Sequence, residues 1–126
     1  MTEENRELLL RDLCARLPYG VKGIITYNGD KDIFTVKGIF NVLFLSDTEC
    51  CHIEDFRPYL FPLSSMTEEE WEDYQKIRMI DWVHGDINGT FINAGLTVDW
   101  LNVHHFDYRG LIEKGLAIDA TNLNIY

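Results

Sequence analysis

Residues 2–36, TEENRELLLRDLCARLPYGVKGIITYNGDKDIFTV, pass from a helical repeat to a strand repeat within a few positions. Thr2 has the side chain of an N-cap, and Glu3 and Glu4 complement the positive end of a helix dipole. Leu9, Leu13 and Leu17 recur every fourth residue with Leu10 and Cys14 beside them, which makes one apolar stripe. Arg16 sits in the last turn and Pro18 stops the helix. A helix with one apolar stripe has to dock, and the next residues supply a surface. Val21 to Tyr27 is rich in β-branched and aromatic residues, and Asn28-Gly29 is a strong short hairpin signal.

The same alternation of extended segments and turns continues. Asp32 to Val36 and Ile39 to Leu45 read as strands, with Gly38 a bulge or bend between them. Ser46-Asp47-Thr48 makes a turn before a strand from Cys50 to Asp55. The two prolines of Arg57 to Ser65, RPYLFPLSS, predict an extended connector. Thr67 and Glu70 form a capping box, with Met66 placed to staple against Trp71. The helix that follows runs to about Val83, carries Tyr74, Ile77 and Ile80 on its buried side, and ends with Gly85 at C′. Asp86 to Gly95 reads as a loop with a short strand at Thr90 to Asn93. Thr97 caps a third helix, with Asp99 in its first turn, which fades near Arg109-Gly110. Leu111 to Leu116 adds a further turn, and Asp119 to Tyr126 frays or adds an edge strand. The expectation is a single α+β domain over residues 1–126: an N-terminal helix, a three- to four-stranded antiparallel meander, and two or more C-terminal helices packed on the sheet.

Composition agrees with one globular domain, at 126 residues, 46% hydrophobic and 13% aromatic. No apolar run approaches bilayer thickness, and the start MTEENRELLL is polar before it is apolar, the reverse of a secretory signal. A cytoplasmic setting is expected. Cys14, Cys50 and Cys51 are odd in number, and the adjacent pair on a strand would face opposite ways, so free, buried or half-buried thiols are expected. The net charge of −10 argues against direct binding to nucleic acid or an anionic membrane. Between Asp47 and Lys76 there are nine acidic and two basic residues. Glu68, Glu69 and Glu70 are first of all dipole partners, and the rest of this acidic surface is either a solvated face or one suited to a basic partner.

Thr97 to Leu116, TVDWLNVHHFDYRGLIEKGL, concentrates the groups able to do chemistry or to anchor a partner. His104, His105 and Asp107, with His84, Asp86 or His52, are suitable metal-ligand types. Their spacing is poor, because helical neighbours point about 100° apart and no two histidines lie at i, i+3 or i, i+4. No metal and no cofactor is assigned. A Cys–His dyad using Cys50 or Cys51 stays open, since such partners meet only in the fold. The chain has no G-x-S-x-G elbow, Walker A loop, G-x-G-x-x-G or C-x₂-C pair, so no catalytic residue is assigned. Recognition then falls to Trp100, His105, Asp107, Tyr108 and Arg109, which include the residue types that dominate interface energetics, with core packing as the competing use of the same residues.

Three blocks, LLLRDLCARLPYGV (8–21), RPYLFPLSSMTEEE (57–70) and WLNVHHFDYRGLIEKGLAIDA (100–120), resemble a family of small proteins encoded in gut anaerobe genomes and their prophages and phages. The resemblance brackets nearly the whole chain, with residues 24–54 and 77–96 as its variable parts. It implies a phage or mobile-element setting in a bacterial cytoplasm and carries no catalytic residue over. The expected function is a non-enzymatic accessory protein that binds a host or phage protein, in its boldest form an acidic inhibitor of a nucleic-acid-binding protein. A small metal-dependent enzyme, a homo-oligomeric structural protein and a small-molecule sequestering protein are the alternatives.

Overall fold

Helix α1 (Glu3–Arg16) opens as its sequence dictates, with Thr2 Oγ1 accepting the Asn5 N–H at 3.2 Å. Leu9 and Leu13 on its stripe are fully buried. Pro18 then stands in a short 3-10 turn (Leu17–Tyr19), closed by Gly20 at φ 72°. The computed structural model describes residues 1–27, 32–46, 48–83 and 95–126. The Asn28-Gly29 turn, Asp47, His84, Gly85, Asp86 and the expected strand at Thr90 to Asn93 lie outside the described residues.

The fold is α+β. Strand β1 (Lys22–Ile25) pairs antiparallel with β2 (Phe34–Thr35). The meander does not continue in one sheet. Val36 N still donates to Val21 O, but the next amide, Lys37 N, donates to Phe44 O. At that step the chain leaves the first sheet for a second, antiparallel one of β3 (Gly38–Ile39), β4 (Leu43–Phe44) and β5 (Cys50–Cys51). The expected single strand from Ile39 to Leu45 is thus two short strands around a tight turn, in which Phe40 N donates to Val42 O. The turn before β5 forms on a hydroxyl, with Ser46 Oγ accepting from the amides of Thr48 and Glu49. Cys50 is exposed and Cys51 buried, as alternation demands. Burial pushes the Cys51 thiol up to about 11. Cys14 is also exposed, so two of the three thiols face outward rather than inward.

The proline-rich segment expected as a connector is instead the central strand, β6 (Phe56–Pro62). It pairs antiparallel with β1, and parallel with both β7 (Phe106–Asp107) and β8 (Ile118–Asp119). Pro58 is tolerated because of phase. Thr26 N donates to Asp55 O at 2.7 Å, which makes Ile24–Arg57 a hydrogen-bonded pair and Gly23–Pro58 a pair that exchanges no ladder bonds. Pro58 therefore withholds no donor from β1. Gly23 has no Cβ because the Phe56 ring occupies that space: a Cβ there would lie 2.5 Å from a ring carbon. Phe56, Leu60, Leu9, Leu13, Val21 and Leu43 form the centre of the core, which both sheets share.

Helix α2 (Glu68–Val83) begins on the expected capping box. Glu70 N donates to Thr67 Oγ1 at 3.1 Å, and Thr67 N donates to Glu70 Oε1 at 3.0 Å. Its half-buried line is Glu70, Tyr74 and Ile77, while Ile80, expected inside, is exposed. Helix α3 (Gly95–Val103) starts two residues before Thr97, which is therefore inside the helix rather than its cap. It ends long before Arg109, because His105 adopts φ 62° and turns the chain so that its carbonyl accepts Phe61 N at 2.8 Å. His104 and His105 belong to this turn, and Asp107 to a strand. Asp119 adds to β6 as strand β8, the outcome expected for the end of the chain. Among the described residues no helix is long and apolar enough to cross a membrane.

Candidate recognition site

The residues singled out in the third block fall into two groups of different character. The first is a buried polar network. Asp12 and Arg16, one turn apart on α1, are both fully buried, and Arg16 Nε donates to Asp12 Oδ2 at 2.8 Å. Arg109 reaches across from the end of the chain and donates through Nη1 to Asp12 Oδ1 at 3.0 Å. The same Nη1 donates to the Tyr108 hydroxyl, which donates in turn to Asn102 Oδ1 at 2.9 Å. Both guanidinium groups also lie over the Tyr108 ring, at 5.2 Å for Arg16 and 4.7 Å for Arg109. Arg16 Nη2 donates to the Phe106 carbonyl, which joins α1 to β7. The network thus draws on the first and third of the quoted blocks and closes against β6 from the second.

Asp107 and His105 sit at the edge of this network with different duties. Asp107 is buried, and its two carboxylate oxygens accept the amides of Leu111 and Ile112 at 3.0 and 2.9 Å. It caps the turn that Leu111 to Leu116 was expected to form, which Gly115 closes at φ 72°. The His105 ring stacks on Tyr126 at 3.5 Å between centroids. Burial first, and then the charge of Arg16, pull His105 down to about 4, so it is neutral at physiological pH. Tyr126 is itself held by its hydroxyl, which accepts Lys22 N and donates to Tyr59 O, and burial pushes it up to about 12. Arg16 Nη1 and His105 Nδ1 make no hydrogen bond with described residues.

The second group is aromatic. Trp71, Tyr74 and Trp100 follow one another at 5.8 and 5.6 Å between ring centroids. Trp100 then stacks on His104 at 4.2 Å and on Phe106 at 5.7 Å. This ladder runs from the outer helix α2 through α3 into the core at β7. His104 Nδ1 lies 2.8 Å from the Trp100 carbonyl, which accepts the ring proton. Its inner end is buried, but Trp71 at its outer end is 50% exposed. Met79 at 59% and Ile80, also exposed, continue along α2, while Leu96 and Val103 are exposed on α3.

Of the five residues expected to bind a partner, Trp100 belongs to the aromatic ladder. Tyr108 and Arg109 are half-buried in the network, and His105 and Asp107 are buried behind it. Trp71 and Met79 were not among the five. Their only signal was that they fall off the Tyr74–Ile77 line of α2, and that becomes informative once α3 is known to cover a single line. His104 and His105 are turned to different neighbours, Trp100 and Tyr126, and His52 is exposed on the far sheet. Among the described residues no three His, Cys, Asp or Glu side chains converge as metal ligands do. An open cleft of about 340 Å³ lies beside the network, lined by Pro62, Ser64, Asp107, Tyr108, Ile112 and Glu113. Its two buried or half-buried polar members, Asp107 and Tyr108, already have intramolecular partners. No family model matches the chain, and no curated protein or solved structure matches it either.

Proposed function

We propose that this chain is a non-enzymatic protein-binding module. In this reading it is the accessory protein of a phage or mobile element and acts in the bacterial cytoplasm on a host or phage protein. It docks through the α2–α3 helix pair. The observation that carries this reading is the exposed outer end of the aromatic ladder, Trp71, with Met79 and Ile80 beyond it on the same helix. Trp and Met are enriched where proteins meet, and an exposed cluster of large apolar side chains is the usual mark of such a surface. The buried network lies apart from α2 and, among the described residues, bonds no residue of it. It ties α1 to the turn after α3, and the groups most able to do chemistry are committed to one another inside it. Trp100 is the expected site residue that remains in this reading, as the ring on which the exposed part of the ladder rests.

Affinity capture from bacterial host lysate tests the reading when the wild type is run beside a Trp71→Ser/Met79→Ser variant. A protein retained by the wild type and lost from the variant, with both chains melting alike, is the expected result. Equal recovery on both chains, or no protein on the wild type at low and moderate salt, refutes it.

A further inference from the structure

The charge pattern of α2 carries the reading one step further. At helical spacing, Glu68, Glu72, Gln75 and Met79 form one exposed line (i, i+4, i+7, i+11), and Glu69, Asp73, Lys76 and Ile80 form another. Each line opens with two carboxylates and ends in a large apolar residue. Trp71 lies beside the first line, in the acidic half. The exposed surface is therefore graded along its length, with carboxylates around a tryptophan over the first two turns, and after them Met79 and Ile80 together with the cations Lys76 and Arg78, the latter lying over the Tyr74 ring at 5.5 Å.

Dipole complementarity accounts for only part of this acidity. Glu70 already closes the capping box. Glu68–Glu72 and Glu69–Asp73 are like-charge pairs at i, i+4, a spacing at which repulsion lowers helix stability. Among the described residues none of these four carboxylates is in an ion pair. Helix α2 thus keeps four exposed carboxylates, none ion-paired among the described residues, in two turns next to an exposed indole, with Lys76 one turn beyond Glu72 as the first cation along the helix. An incoming cationic group would relieve that repulsion and could also lie against the Trp71 ring.

Resting on the protein-binding reading above, we infer that the partner presents a basic amphipathic helix to α2, with Lys or Arg side chains meeting the acidic turns and an apolar face covering Trp71 and Met79. Binding then needs both features at once. Lysine content without a continuous apolar face is insufficient, and so is an apolar face bearing acidic residues.

The test is titration of the full chain with three labelled peptides of about five helical turns each. One is an amphipathic leucine–lysine helix, the second has the same composition scrambled so that no apolar face forms, and the third is an amphipathic leucine–glutamate helix. The expected result is binding of the first alone. That binding weakens about tenfold in Glu69→Gln/Glu72→Gln/Asp73→Asn, where three rim charges are removed, and as salt approaches 1 M. It is lost in Trp71→Ser/Met79→Ser, and circular dichroism checks that each variant keeps its helix content. Equal binding of the scrambled peptide reduces the effect to net charge and overturns the inference. Equal binding of the leucine–glutamate peptide overturns the basic partner while leaving α2 a docking surface. Loss of none of the binding in the Trp71/Met79 variant overturns both.

Discussion

Removing the Asp12 carboxylate is the sharpest test of how this fold is held. Asp12→Ala leaves Arg16, fully buried, without the acceptor of its Nε–H bond, and takes from Arg109 its only carboxylate partner among the described residues. Breaking a buried ion pair by deleting one member costs about 3–5 kcal/mol, because the surviving charge stays desolvated. The total stability of a domain is only about 5–15 kcal/mol, so this loss is a large fraction of it. Urea unfolding followed by circular dichroism should show the midpoint falling with an unchanged slope. A parallel Glu54→Ala variant calibrates the result. Glu54 accepts Arg6 Nε at 3.0 Å, but both side chains are nearly half exposed, and its loss should cost no more than about 1 kcal/mol. Arg109→Ala should fall between the two, since its side chain is 20% exposed and water replaces part of what it loses. If Asp12→Ala costs no more than Glu54→Ala, the network is not a buried one and the reasoning fails. An Asp12→Leu/Arg16→Met double variant sharpens the point. It removes both charges, so it should be more stable than Asp12→Ala alone.

Gly23→Ala should destabilise by about 1–3 kcal/mol through overpacking against the Phe56 ring and the Arg57 carbonyl, measured by the same unfolding assay. A Gly23→Ala/Phe56→Leu double variant should recover part of that loss. His105 has a folded-state pKa of about 4, below the ordinary 6.5, so the unfolded chain binds its proton more readily. Its contribution is fully present above about pH 6.5 and is lost as pH falls toward 4, by up to about 3 kcal/mol. His105→Asn, which tolerates the left-handed backbone, should flatten that part of the stability profile, and the ring proton resonances of the wild type should titrate near 4. Thr67→Ala should cost about 1 kcal/mol, because it removes the acceptor of the Glu70 amide. Amide exchange should then quicken first in the opening turn of α2.

Local chemistry was legible at several caps and turns whose partners lie within about four residues. Thr2 caps α1, the Thr67–Glu70 box starts α2, Ser46 builds its turn, and Cys50 and Cys51 face opposite ways. Each of these depends only on backbone geometry that neighbouring residues impose. Structure departs from local expectation where a distant element supplies the deciding bond. Two prolines marked Arg57 to Ser65 as a connector, yet the register against β1 places Pro58 in a pair that needs no donor. Helical spacing carried α3 on toward Arg109, yet the His105 carbonyl is taken by Phe61, and the helix ends there.

The candidate site divides the same way. The sequence alone marked residues 97–116 as dense in Trp, His, Asp, Tyr and Arg, and marked α2 as strongly acidic. It also determined an α+β chain with α1 and α2 at predictable starts, since their caps and periodicities are local. Only the tertiary structure decided which of those groups remain available to a partner. Asp12, distant in sequence, captures Arg109; Tyr126 covers the His105 ring; and α3 covers one line of α2 while leaving Trp71 and Met79 outside. Availability is a property of burial and pairing between remote segments, and no periodicity along the chain encodes it.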